Sequence, residues 1–295
     1  MIYPQNFEQK IGFEEIRTLL TGHCLSTLGI ERVGQMKFLT DLHLLRELQE
    51  QTREFLRIQE EEEDFPEQDF YDVRPAIKRI RIEGTYLDET ELFDLKRSLC
   101  TIINIVRFLN KDTEEDNGTE ENRPGDDASV PYPALRRLTQ GVSVYPQLVR
   151  RIESILAKYG KIKDSASAEL LRIRRELVAA ESGISRTLHA ILRNAQQDGV
   201  VDKDVTPTMR DGRLVIPVAP ALKRKIKGIV HDESATGRTV FIEPAEVVEA
   251  NNRIRELEGE ERREIIRILQ EFTAEVRPHY QEILQSYEFL AEIDF

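Results

Sequence analysis

The sequence predicts a mainly α-helical fold with a helical core, two long antiparallel helices and a small β-rich subdomain inserted at their tip. Three observations predict it. Charged residues make up 33% of the chain, aromatics only 7%, and tryptophan is absent, a bias typical of long solvated helices. Two long stretches repeat apolar residues at intervals of three and four, as a helix with one buried face does. Between them lies a Gly-punctuated, β-branched segment, Met209 to Pro244, with a cluster of positive charge in an otherwise acidic chain.

The elements follow in order. The N-terminal part reads as three helices, Phe7 to Leu20, Ser26 to Met36 and Asp41 to Ile58, punctuated by Gly22 as a stop and Thr40-Asp41 as an N-cap. An acidic run, Glu60 to Asp64, and Phe65-Pro66 open a loop reaching about Asp72. A second helical pair is expected near Val73 to Ile80 and Asp88 to Leu109, with Asp88 and Glu91 approximating a capping box. Lys111 to Pro131, polar with Asn-Gly and Pro-Gly pairs, reads as a surface insertion. A helix from Pro146 to Tyr159 leads through Gly160 to a long one, Asp164 to Gln197. Its apolar positions Leu170, Ile173, Leu177, Ala180, Ile184, Ile191 and Ala195 imply a partner helix.

That partner is expected in Ala245 to Phe295. Its distal stripe is Ile265, Leu269, Phe272, Val276, Tyr280, Ile283, Tyr287 and Leu290, with a bend at Pro278. Arg255 to Glu264 is almost wholly charged and reads as a stretch crossing open solvent. The expected divisions are a core over 1–160, a first long helix over 161–199, a β-rich tip over 200–243 and a returning helix over 244–295. The chain ends inside the apolar stripe without a C-cap and reads as part of something longer.

A net charge of -12 and a pI near 5.1 exclude a uniformly basic nucleic-acid binder, so any such binding needs a local patch. Cys24 and Cys100 form no Cys-x-x-Cys, which argues against a zinc site or disulfide framework and for a reducing cytoplasm. No apolar run reaches the ~18 residues of a membrane span. The only Gly-Lys, Gly160-Lys161, lacks the rest of a phosphate-cradling loop. No catalytic residue and no metal ligand set is expected: His23, His43, His189 and His279 share no ligand spacing. His231 and Asp232 near Ser234 suggest a hydrolase triad by proximity alone, which is poor evidence.

The candidate binding residues are the cations of the β-rich segment: Arg210, Arg213, Lys223, Arg224, Lys225, Lys227 and Arg238. Lys223-Arg224-Lys225-Ile226-Lys227 is the densest basic run in the sequence. Clustered cations attract polyphosphate by releasing its counterions; the plainer reading is a solvated sheet edge whose lysines block strand pairing. Asp211-Gly212 suits a hairpin turn, and Thr236-Gly237-Arg238 a second turn before a strand from Thr239 to Ile242.

These residues carry a resemblance. Arg210 to Val218, Gly228-Ile229-Val230-His231-Asp232 with Ser234, Gly237 to Pro244, and Glu246-Val247-Val248-Glu249 with Asn251-Asn252-Arg253 resemble the MutS-II branch of the MutS ATPases, as does the opening Phe13-Glu14-Glu15-Ile16. The resemblance implies a helical core, a lever of long helices and a β-rich clamp. It implies a homodimer closing around duplex or branched DNA, in the control of recombination and in repair, and in some bacteria action on ribosomes. ATP and Mg would bind an ATPase domain outside this chain, so no cofactor is expected within it, and many members add a nuclease domain. A protein-interaction or ribosome-binding scaffold without intrinsic DNA binding is the competing reading.

Overall fold

The computed structural model describes residues 6–61, 64–111, 131–210 and 212–295. Most of the acidic run is described, but Glu62 and Glu63 are not; nor are Asp211 and nearly all of the segment read as an insertion. The chain divides into two compact units, one of Met1–Lys163 with Leu269–Phe295, the other of Asp164–Ile268. The fold is mainly helical with one small antiparallel four-stranded sheet. Among the described residues no helix is long and apolar enough to cross a membrane.

The first unit begins with α1 (Phe7–Lys10) and α2 (Phe13–His23). The single helix expected over Phe7 to Leu20 is broken by Gly12, whose φ of 73° is a left-handed conformation that glycine adopts freely. Gly22, expected as a stop, instead lies within α2, which ends at the extended residue Cys24. Next come α3 (Thr27–Gln35) and α4 (Leu42–Glu61). Asp41 starts α4 as expected, its carboxylate accepting the N–H of His43 and Leu44 at 2.9 and 3.2 Å. α4 runs past Ile58 into the start of the acidic segment expected as loop, ending at Glu61.

The short α5 (Arg74–Arg79) and the long α6 (Glu89–Leu109) follow. The expected capping box opens α6: the Asp88 carboxylate accepts the Glu91 N–H at 2.8 Å, and Glu91 accepts the Asp88 N–H at 3.0 Å. The buried face of α6, Leu92, Leu95, Leu99, Ile102 and Ile105, centres the core. α7 (Pro133–Leu138) was not foreseen. Its free N–H groups at Ala134 and Leu135 are met by the buried Glu54 of α4 at 2.9 and 2.8 Å, so a distant carboxylate supplies the cap that local sequence lacks. α8 (Pro146–Ile155) ends earlier than expected, in a hairpin closed by a bridge between Leu156 and Ile162.

The last helix of this unit, α11 (Tyr280–Asp294), packs against α3 and α5 and buries Ile283, Tyr287 and Leu290. A 3-10 turn, Arg277–His279, holds Pro278 and separates α11 from α10 (Ala245–Val276). Pro278 thus interrupts the helical stretch with one 3-10 turn at the position where a bend was expected. Asp294 of α11 accepts the N–H groups of Leu25, Ser26 and Gly29 at 2.7, 2.9 and 3.1 Å. The two ends of the unit are tied by one carboxylate at a helix N-terminus, where negative charge is favoured.

In the second unit α9 (Ala168–Gln197) and the first part of α10 run antiparallel. Ile173 and Leu177 bury against Leu257, and Arg174 with Glu261 and Arg253 with Glu176 pair across the seam at 2.7 and 3.0 Å. Arg172 also reaches Glu260 at 3.4 Å. The charged stretch expected to cross open solvent is therefore laced to α9, with Leu257 only 1% exposed.

The sheet, in order β1-β2-β4-β3, is built from β1 (Thr208–Arg210), β2 (Arg213–Val218), β3 (Gly228–Glu233) and β4 (Val240–Pro244), all neighbours antiparallel. Strands β1 and β2 pair with Arg210 opposite Arg213, and Gly212, just before β2, has φ 75°, a conformation glycine adopts freely. Ile216, Val218, Val240 and Ile242 pack on Leu188, Leu192 and Ala195 of α9 and Val247 of α10. The sheet thus sits at one end of the helix pair. Gly228 lies so close to β4 that a Cβ there would stand 2.1 Å from the Glu243 carbonyl oxygen.

Candidate nucleic-acid interface

Three candidate cations, Lys223, Arg224 and Lys225, stand on a 3-10 turn, Pro220–Lys225, between β2 and β3. Leu222 packs on the sheet core and Ile226 is 8% exposed. The turn is pinned by these apolar residues, which leaves its cationic side chains in solvent. Lys227 follows directly, exposed, with its carbonyl accepting the Ala245 N–H at 2.9 Å. None of these four cations has a carboxylate partner among the described residues.

Arg238 is likewise exposed and without a carboxylate partner among the described residues. It stands on the turn between β3 and β4, where Gly237 has φ 66°. Ser234 organises that turn: its hydroxyl accepts the N–H groups of Arg238 and Thr239 at 3.1 and 3.0 Å. This is the local bonding by which serine stabilises turns.

Arg210 and Arg213 are engaged differently. The Arg210 guanidinium lies over the Phe241 ring, 4.4 Å from its centroid, and 3.9 Å from Asp232. Arg213 donates to the Glu243 carboxylate at 2.9 Å, and that carboxylate is fully buried. The same Glu243 oxygen meets His231 Nε2 at 2.6 Å, while the other accepts from Asn251 of α10 at 2.7 Å. Burial works to raise the Glu243 pKa; hydrogen bonds from Arg213, Asn251 and His231, with the charge of Arg213, outweigh it and hold the carboxyl below its usual range.

The seven candidates therefore separate into five free exposed cations and two held by partners within the fold. Free charge at the surface attracts polyphosphate; a cation bound to a buried carboxylate is already largely neutralised. Glu243 and Asn251, neither of them among the candidate cations, organise this region. The signal for Glu243 is a lone carboxylate in the apolar strand Val240-Phe241-Ile242-Glu243-Pro244, since a buried charge needs partners.

The triad suggested by proximity is dispersed onto separate partners. His231 faces Glu243, Asp232 lies beside Arg210, and the Ser234 hydroxyl caps its turn. Among the described residues no group of three or more His, Cys, Asp or Glu side chains is placed to hold a metal ion.

No protein-family model matches the chain. The chain is similar to three proteins named Endonuclease MutS2. That of Latilactobacillus sakei is 32% identical over 283 residues, 96% of this chain and 34% of the relative. That of Pelotomaculum thermopropionicum is 33% identical over 291 residues, 97% and 34%. That of Enterococcus faecalis is 30% identical over 291 residues, 99% and 35%. Over nearly its whole length the chain therefore aligns with one segment of these MutS2 relatives, and it spans about a third of the length of the curated relatives it matches.

Proposed function

We propose that the Asp164–Ile268 unit is the lever and clamp of a MutS-II-type protein, and that its exposed cations contact nucleic-acid phosphates. The observation that carries this reading is the pinned 3-10 turn with Lys223, Arg224 and Lys225 unpaired beside Lys227. Arg238 adds a fifth contact and Arg210 a marginal one. Arg213, bound to Glu243, sets the strand that supports them. Such contacts position a protein on its ligand and carry no base readout. Duplex or branched DNA is the proposed ligand. In the longer protein, ATP and Mg bound outside this region would move the clamp within a cytoplasmic homodimer acting in recombination and repair.

The test is a fluorescence-anisotropy titration of labelled duplex and four-way junction with the 295-residue chain. Sub-millimolar binding is expected, within the ~10⁻⁴–10⁻⁶ M range of charge-driven association. The quadruple variant Lys223→Glu, Arg224→Glu, Lys225→Glu, Lys227→Glu should keep its circular-dichroism spectrum and lose that binding. Unchanged affinity would overturn the assignment of this turn. Co-sedimentation with ribosomes alongside negligible DNA binding would replace DNA with the ribosome as the partner.

A further inference from the structure

We infer that the hairpin of residues 155–163, in the first unit, is a second nucleic-acid site: it stacks an unpaired base on Tyr159 and holds adjoining phosphates with Lys158 and Lys161. It shares no residue with the cationic turn of the second unit, so the two assignments stand or fall separately.

The hairpin is tightly built. Leu156 and Ile162 form an antiparallel bridge, the Ala157 N–H donates to the Lys161 carbonyl at 2.7 Å, and the Lys163 N–H donates to the Ile155 carbonyl at 2.8 Å. Leu156 and Ile162 are each 4% exposed, so both feet of the hairpin are buried. Gly160, with φ 78°, rests against α6: a Cβ there would lie 3.2 Å from Cγ of Phe93. The Gly160-Lys161 pair that fails as a phosphate loop is thus the corner of a fixed turn.

That turn presents Tyr159 at 82% exposure, the highest of any large hydrophobic side chain among the described residues. Lys158 Nζ lies 5.8 Å from the ring centroid. Lys158 and Lys161 are exposed and have no carboxylate partner among the described residues. Lys163 is engaged instead, its ammonium donating to the Glu153 carbonyl at 2.6 Å. An exposed aromatic ring beside Lys158, on the same hairpin as the exposed Lys161, matches a nucleotide in both parts: the ring takes a base, the cations take phosphate. Bases in a duplex are already stacked on each other, so the ligand is a single-stranded segment. Holding the ring on a closed hairpin lowers the ordering cost of binding.

The chain has no tryptophan, so Tyr159→Trp introduces the sole indole at the site. Its emission should be quenched saturably by a single-stranded 12-mer and little by a blunt duplex, and quenching should survive charge reversal of Lys223–Lys227. An indole at another exposed position of the same unit, Leu19→Trp, should not respond. Tyr159→Ala, made in that charge-reversed background, should weaken single-strand affinity about 5- to 100-fold, whereas Tyr159→Phe should hold it within about twofold. Absence of quenching at position 159, equal quenching at position 19, or undiminished affinity in Tyr159→Ala would overturn the proposal.

Discussion

His231 and Glu243 are joined across two neighbouring strands by a 2.6 Å contact, and the carboxylate is fully buried. Arg213 and Asn251 complete the shell, so one glutamate binds β2, β3 and α10. Removing one member of a buried charge pair leaves its partner uncompensated. Glu243→Ala should therefore lower the stability of the second unit by about 3 kcal/mol, the low end of the usual range because Arg213 keeps some contact with water. Urea denaturation read by circular dichroism measures this.

The same residue sets an acid limit. A carboxyl whose folded pKa lies below its unfolded value contributes stability above the unfolded pKa and loses it as pH falls through the folded one. Asp72, Glu91 and Glu264, each hydrogen-bonded to an arginine, are also held low. The melting temperature should hold level from neutral pH down to the ordinary carboxylate range and fall below it. In Glu243→Gln the drop should be shallower. A pH series of thermal melts checks both.

Gly228 packs against the backbone of β4, with no room for a methyl group. Gly228→Ala must push β3 away from β4 and should cost about 1–3 kcal/mol, as overpacking does. Hydrogen exchange should show the loss in β3 and β4 first, with α9 near Ile173 unaffected.

Asp294 caps α3 from the far end of the chain, and Gly29 makes room for it: a Cβ at position 29 would lie 2.6 Å from the Asp294 carboxylate. Asp294→Ala and Gly29→Ala should each destabilise the first unit by about 1–2 kcal/mol, as lost caps do. The double variant should cost less than the sum, because both changes break one contact. Chemical denaturation of the three variants decides it.

What could be read from the sequence follows from how local each determinant is. The α6 boundary was legible because its capping box and apolar period lie within one segment. The seam of α9 was legible at Ile173, Leu177 and Ala180, where the partner is a helix. Nearer its end burial centres on Leu188 and Leu192, with Ile184 and Ile191 at the margin, because a sheet covers a wider face than a helix does. α7 was hidden because Glu54, far away in sequence, supplies its cap. The basic run was visible as composition; that Arg213 is held while Lys223 is free was not, since Arg213, His231, Glu243 and Asn251 meet only through sheet pairing and the return of α10.

Phosphate contact by the cationic turn fixes the salt dependence of duplex DNA binding. If Lys223, Arg224, Lys225, Lys227 and Arg238 each contact a phosphate, log K against log salt should fall with a slope of about -4 to -5, and reversing the first four should abolish the binding that carries that slope. A slope near zero in the unmodified chain, or one left unaltered by the reversal, would contradict it.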